Sequence, residues 1–233
     1  MFTETASLYD IIYHWKDYRA ESEKLIAFIQ QHKRSSGNML LDVGCGTGKH
    51  LEYLRARYTC EGLDLDPELL HVAHERVPDV PLHEGDMMNF DLGRTFDVVT
   101  CLFGAVAYTQ TRTRYQTAVA NMARHVAPGG VLIVEPFIYM ENYTPGKITL
   151  LTGEVPGLAI ARMTVSRVEN ETAYFVYNYL VGTSNGVQHL EENHVLGVFT
   201  QQEYGQALQA QGLQVAYDDE GLMGRGLFIG VKP

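Results

Sequence analysis

Residues 40–48 read LLDVGCGTG, and they constrain this chain more than any other stretch. Two apolar residues run into Asp42. Gly44, Gly46 and Gly48 then alternate with Cys45 and Thr47 before a helical pattern opens at His50 and Leu51. Glycines at this spacing let a backbone turn sharply from strand to helix and pass close to a ligand. The dinucleotide fingerprint wants glycine at its first, third and sixth places, but the sixth place here is Lys49. A dehydrogenase is therefore disfavoured. The plain alternative is a tight turn without a ligand.

Around the loop, apolar strands alternate with helices, which implies a parallel sheet covered on both faces. Residues 40–43 are read as a first strand, 49–57 as a helix and 59–63 as a second strand ending at Asp64. Asp64 lies twenty residues after Gly44, where a carboxylate can accept both ribose hydroxyls of an adenosyl ligand. Asp66 and Pro67 already supply an N-cap and first-turn proline for the next helix, which weakens a capping role for Asp64. A third strand at 80–83 precedes Gly85, Asp86, Met87 and Met88. A fourth at 96–103 ends in Leu102 and Phe103, at the edge where open parallel sheets bind ligands. A helix from Thr113 to His125 leads through Pro128, Gly129 and Gly130 into a fifth strand, VLIVEP, carrying Glu135 near its end.

The alternation breaks after Pro136. Residues 158–168, 172–182 and 187–199 read as three antiparallel strands, and Phe175, Tyr177 and Tyr179 share one face of the middle one, suited to a substrate wall or a subunit contact. A helix near 201–211 and strands near 213–218 and 226–232 return to the main sheet. The expectation is a single α/β domain over 1–233: a doubly wound, mostly parallel seven-stranded sheet, lid helices over 1–36, and an inserted three-stranded antiparallel substrate lobe over 138–199. Tyr9, Tyr13, Trp15 and Tyr18 crowd into the lid segment. Their hydroxyls can meet substrate or cofactor, or their rings can staple the segment to the core.

A chain of 233 residues fits one domain, and no apolar run approaches a membrane span. The first residues carry acids where a signal peptide needs a basic end, so the reading is cytoplasmic. Cys45, Cys60 and Cys101 are odd in number and lack metal-ligand spacing, so reduced thiols and no metal are expected. The formal charge of -10 argues against a nucleic-acid substrate.

An acid before Gly-x-Gly-x-Gly resembles the first motif of the class I S-adenosylmethionine (SAM) methyltransferases, and the order of the later motifs matches that Rossmann-like family. The resemblance implies SAM as cofactor and S-adenosylhomocysteine as product. It places Asp42, Gly44, Gly46 and Gly48 in the first motif, and Asp64 with Leu65 at the ribose. Asp86 falls on the adenine amino group with Met87 beside the ring, Leu102 and Phe103 at the fourth strand end, and Tyr18 in the lid. A narrower resemblance lies in YDIIYHWKDYRAE, in VEPF, in the late lobe and in GRGLFIG near the C-terminus. These look like the N-methyltransferases that dimethylate dTDP-linked amino sugars in antibiotic biosynthesis, although the chain writes VGCGTG where that group has VACGTG.

An amine acceptor must lose a proton before it attacks a sulfonium methyl, and Tyr13, Glu135 and His194 are candidates to take or orient it. Glu135 is equally read as a structural carboxylate, and His194 as a satisfied core histidine. Tyr13 and Tyr177 are candidate substrate contacts. Arg225, between Gly224 and Gly226, is a candidate for a diphosphate or, alternatively, a cap on the final hairpin paired with Asp218, Asp219 or Glu220. The expectation is N-methylation of a small molecule such as a nucleotide-linked amino sugar, by a possible homodimer. An O-methyltransferase, another small-metabolite N-methyltransferase and a non-catalytic SAM-binding protein remain open. An adenine-specific DNA enzyme is unfavoured, because LFGAVAY follows the fourth strand instead of an Asx-Pro-Pro-aromatic motif.

Overall fold

The structure, a computed structural model, describes residues 5–233. Two helices open the chain, α1 (Ala6–Ile12) and α2 (Tyr18–His32). The second starts where Asp17 accepts the Ala20 N–H at 2.9 Å, and it buries Leu25 and Ile29 one turn apart. The main sheet is then laid down by β1 (Met39–Val43), β2 (Thr59–Asp64), β3 (Leu82–Glu84), β4 (Phe96–Cys101) and β5 (Val126–Val134), with helices α3 (Lys49–Leu54), α4 (Pro67–Arg76) and α5 (Arg112–Arg124) between them. After an antiparallel lobe of β6 (Ile148–Val155), β7 (Leu158–Glu169), β8 (Thr172–Thr183) and β9 (Gly186–Gly197), the chain closes with α6 (Gln201–Gln209), β10 (Gln214–Asp218) and β11 (Leu227–Val231).

The main sheet runs β10-β11-β5-β4-β1-β2-β3, seven strands as expected, parallel from β5 to β3 and antiparallel where β11 joins β5 and β10. Its order reverses between β1 and β4, the topological switch point where open sheets bind ligands. Apolar clusters cover both faces: Leu41, Val99, Val119 and Leu132 belong to one, and Leu25, Leu40, Val98 and Ile133 to the other. Among the described residues, no helix is long and apolar enough to cross a membrane, and the three cysteines are free and buried.

Three details differ from the sequence reading. The Pro128–Gly130 turn is a bulge inside β5, where the register with β4 shifts between Phe96 and Val98. There the Gly129 carbonyl accepts the Arg34 and Ser35 N–H groups, so the backbone that looked like a loop is paired. The helix after the glycine loop ends at Leu54, three residues early. The lobe has four strands, because residues 148–155 add an outer edge strand whose mostly exposed side chains show no clean alternation. An isolated parallel bridge from Tyr139 to Phe199 ties the lobe's entry to its exit.

The lid helix α1 lies across the lobe. Leu8 and Ile12 pack with Leu69 of α4 and with Ile160, Tyr177 and Tyr179 of the lobe. The backbones approach closely at Gly153 of β6, where a Cβ would stand 2.3 Å from the Ile11 carbonyl oxygen. Backbone cannot yield as a flexible side chain does. Gly153→Val should therefore lower the melting temperature and raise hydrogen exchange across residues 6–12. Unaltered exchange in that helix would mean that this contact does not hold the lid.

Candidate active site

A cavity of about 820 Å³ opens at the carboxyl ends of β1, β2 and β4 and extends to the inner face of the lobe, with Tyr9 and Tyr13 of the lid on its border. At the strand end the backbone of the glycine loop is exposed to it. Gly44, Gly46 and Gly48 all have positive φ (+73°, +54°, +73°), a conformation L side chains rarely adopt. Gly44 and Gly46 line the cavity, whereas Gly48 packs on Ala73 and does not. A Cβ on Gly44 would meet Ala105 Cβ at 2.6 Å, while nothing lies within 4 Å of one built on Gly46, so Gly46 faces open ligand space.

Asp64 ends β2 beside this loop. Its Oδ2 accepts the Gly46 N–H at 2.8 Å and its Oδ1 the Asp66 N–H at 3.0 Å. Burial raises its pKa, opposed by these backbone donors. Leu65, Met87, Leu102 and Phe103 border the same space, as does Asp86, whose Oδ1 fixes the next turn by accepting the Met88 N–H. Asp42 does not reach the cavity. It is buried beneath the loop, takes a 2.8 Å bond from Thr100 Oγ1, and burial pushes its carboxyl up to about 7. Tyr18 also stays away, packed edge-on against His50 with the Lys16 ammonium 4.4 Å from its ring. The expected contact of Tyr18 with the cofactor is thus corrected to support of the lid.

The three proton-handling candidates separate in the same way. Glu135 is fully buried and outside the cavity lining. Its Oε2 accepts the Phe103 N–H at 2.6 Å, and burial raises its pKa against the pull of Arg225. Phe103 is a non-glycine residue with φ of +52°, a strained conformation that persists only when its surroundings fix it. Glu135 therefore holds the turn after β4 instead of acting as a base. Tyr13 does border the cavity. Its ring lies edge-on to Phe103 at 5.2 Å, and its hydroxyl accepts from Arg162 Nη1 at 3.1 Å. His194 borders it too, with Nδ1 2.8 Å from the Tyr108 hydroxyl and Nε2 3.4 Å from Glu192 Oε2. Burial lowers the pKa of His194, and the Glu192 hydrogen bond counters this.

Of the middle lobe strand, Phe175 and Tyr177 turn to the cavity, which favours the substrate-wall reading of that face over a subunit contact. Arg225 also lines the cavity, its guanidinium carbon 4.9 Å from the Phe103 ring and 5.7 Å from the Phe137 ring. It forms no ion pair within 4.0 Å with Asp218, Asp219 or Glu220. Instead, Asp218 accepts the Gly221 N–H, and Glu220 pairs with Lys24. The hairpin-cap reading thus loses its partners.

The sequence reading missed Arg162, Tyr108 and Asp10. Asp10 clasps the lid to the glycine loop by accepting from Thr47 Oγ1 at 2.8 Å and pairing with Arg76. Arg162 had a legible signal, a charge inside a strand with Ile160, Thr164 and Ser166 on the same buried face. Among the described residues, no cluster of His, Cys, Asp and Glu could hold a metal.

A family model described as a methyltransferase domain matches residues 40–130. Over 98% of this chain and 91% of the relative, the sequence is 40% identical to a dTDP-3-amino-3,6-dideoxy-alpha-D-glucopyranose N,N-dimethyltransferase from Streptomyces fradiae. DesVI of Streptomyces venezuelae superposes with a TM-score of 0.92 at 37% identity, covering 98% of both chains. SAM-bound CalS10, an amino pentose methyltransferase from Micromonospora echinaspora involved in calicheamicin biosynthesis, gives a TM-score of 0.88 at 38% identity over 97% of each chain. The likeness runs through lid, sheet and lobe, well beyond the glycine loop. With that loop, the acid ending β2 and the lobe-walled cavity all in place, the chain belongs to the class I SAM-dependent methyltransferases, in the family of the amino-sugar N,N-dimethyltransferases.

Proposed function

We propose that this protein transfers methyl groups from SAM to the amino group of a nucleotide-linked amino sugar. The observation that carries this reading is the full-length likeness just described, because it includes the lobe, the part of the cavity wall that a cofactor site by itself does not require. SAM supplies, when bound, a methyl group activated by its sulfonium. The chain's residues fit it: Gly46 leaves room against the loop backbone, and each Asp64 oxygen keeps a lone pair for a ribose hydroxyl. Asp86 and Met87 are assigned the adenine ring, with Leu65 beside the ribose and Leu102 and Phe103 below.

Methyl transfer is an in-line displacement, so the chain's main task is to hold an amine at the right distance and angle in a site shielded from water. Tyr13 is assigned that task. Its hydroxyl accepts one bond from Arg162, which leaves its own proton and a second lone pair for the acceptor amine. Tyr177 forms a wall for the sugar, and Arg225 offers its guanidinium to the diphosphate. His194, bonded to Tyr108 on one nitrogen and facing Glu192 with the other, is assigned to holding the Tyr108 hydroxyl at the edge of the same space.

A second copy of the chain is assigned to the outer face of the lobe. There Ile148, Leu150, Met163 and Val165 are about half exposed or more (64%, 59%, 50%, 48%) and lie side by side through the Ile148–Val165 and Leu150–Met163 pairs. Exposed apolar patches of this kind mark contact surfaces. No nucleic-acid partner is inferred, given the acidic charge.

Three outcomes are expected. Asp64→Ala should weaken SAM binding by about 1.5 to 3 kcal/mol, the scale of hydrogen bonds to a charged group. Calorimetry giving wild-type affinity in a folded variant would remove Asp64 from the site. In a panel of a dTDP-amino sugar, a free amine and an alcohol with labelled SAM, mass spectrometry should find methyl groups on the dTDP-amino sugar, and Tyr13→Phe should cut turnover more than SAM affinity. Methylation of the alcohol alone would sink the assignment. Light scattering should give a dimer that Met163→Glu converts to monomer. A monomeric wild type would end the dimer proposal.

A further inference from the structure

Phe103 stands in the cavity wall in a conformation that its side chain disfavours. Its φ is +52° and that of Gly104 is +71°, so two successive residues are left-handed and the first of them carries a ring. Glycine at this position would take the turn without strain. Strain of this kind persists only where the surroundings hold the residue in place, and it gathers at functional sites.

The hold comes from Glu135. Its own N–H donates to the Cys101 carbonyl at 2.9 Å, which fixes it just past β5 and beside the end of β4. The carboxylate is fully buried. Its Oε2 accepts the Phe103 N–H at 2.6 Å, while Oε1 has no hydrogen-bond partner. Burial raises the pKa of this carboxylate, and the Arg225 charge, the Phe103 bond and the Lys16 charge oppose that shift. An ionised acceptor makes a short, strong bond to a backbone donor, and removing it would leave the Phe103 N–H open in the interior.

From this turn the Phe103 ring meets Tyr13 edge-on, with centroids 5.2 Å apart and planes at 89°. Lys16 Nζ lies 4.5 Å from the Phe103 ring centre and the Arg225 guanidinium carbon 4.9 Å from it, so the ring is held by charge as well. Tyr13 is the C-cap of α1, past the last helical residue, so helix geometry does not set its ring. Tyr9 and Trp15 meet that ring at 4.6 and 6.4 Å, but they belong to the lid segment and travel with it. Phe103 follows β4 of the main sheet and gives Tyr13 an edge that does not belong to the lid.

We propose that Glu135 is a positioning residue for methyl transfer: by accepting the Phe103 N–H it holds the Phe103 ring at the angle that aims the Tyr13 hydroxyl at the acceptor amine. The inference rests on the assignment of Tyr13 given above and extends it to a carboxylate that does not border the cavity. A misplacement of about 1 Å far from the chemistry can lower a rate about a hundredfold, so loss of this bond is read in turnover.

Steady-state kinetics with labelled SAM and a dTDP-amino sugar, run beside SAM calorimetry and thermal melts of the full chain, test this role. Glu135→Leu should lower kcat about tenfold or more while SAM affinity stays within about threefold of wild type. Glu135→Gln, whose amide oxygen can still accept the Phe103 N–H, should recover most of that kcat at a lower melting temperature, because the Lys16 and Arg225 charges lose a buried counter-charge. Turnover then follows the hydrogen bond and stability follows the charge, a split that a carboxylate serving stability alone does not produce. In a Tyr13→Phe background, Glu135→Leu should cost little further, since both changes act on one hydroxyl. Wild-type kcat in Glu135→Leu would overturn the proposal, as would losses that multiply in the double variant or a Glu135→Gln as slow as Glu135→Leu. If Glu135→Leu does not fold, undiminished kcat in Phe103→Leu would be equally fatal. A slow Tyr13→Phe beside an unaffected Glu135→Leu ends the positioning role and leaves the Tyr13 assignment standing, whereas wild-type kcat in Tyr13→Phe ends both. Where a different acceptor is methylated in place of the amino sugar, the same variants are read on that acceptor, and only the amino-sugar reading falls.

Discussion

The hydrogen bond from the Gly46 N–H to the Asp64 carboxylate joins the turn after β1 to the end of β2, and the crevice depends on it. Two further bonds, from the Gly44 and Cys45 N–H groups to the Leu63 carbonyl, hold the same seam closed. The loop can then turn its backbone outward at positive φ without fraying, and a carboxylate is fixed within reach of any ligand lying on it. Burial raises the pKa of Asp64, and the backbone N–H groups that it accepts oppose that desolvation. A carboxylate held in this way, with lone pairs to spare, is well placed to accept hydroxyl hydrogen bonds.

The lid is fastened to that seam by charge and to the lobe by apolar packing. Asp10 reaches Thr47 and Arg76, so α1 is anchored to the glycine loop, and Ile12 and Leu8 fill the gap to the lobe. Behind it, Lys16, Glu21 and His50 form a buried chain, with Glu21 meeting both the Lys16 ammonium and the His50 ring. Burial lowers the pKa of Lys16, while its bond to Glu21 restores part of its proton affinity. The same Lys16 ammonium lies 4.5 Å from the Phe103 ring, whose backbone Glu135 secures from the other side. Lid, β4 turn and the end of β5 thus meet at Phe103.

Charge is divided along the cavity. Carboxylates occupy the strand end, and the lobe side brings Arg162 and Lys147, with Arg225 from the final hairpin. Such a division lets one cavity take two ligands of different chemistry, a cation-bearing one against the acids and an anionic one against the arginines. A chain of net charge -10 can therefore offer a local anion site despite its overall sign.

Much of this was legible from the residues alone, for a physical reason. Glycine spacing, the acid that ends β2 and the alternation of strands with helices are local, because turn geometry and burial on both faces leave direct marks on neighbouring residues. Those marks were enough for the sheet and the cofactor class, and they put Asp64 at the end of β2. Three of the lobe's four strands were legible as well, but not which of their faces lines the cavity. Arg162, Thr164 and Ser166 face inward while Met163 and Val165 face out, and a period of two names two faces without saying which one meets a cavity. Glu135 resisted because its position at the strand end is the same whether its carboxylate enters the crevice or turns back to the Phe103 N–H. Those choices depend on which backbone donors and aromatic rings arrive from distant parts of the chain, and only tertiary structure decides them.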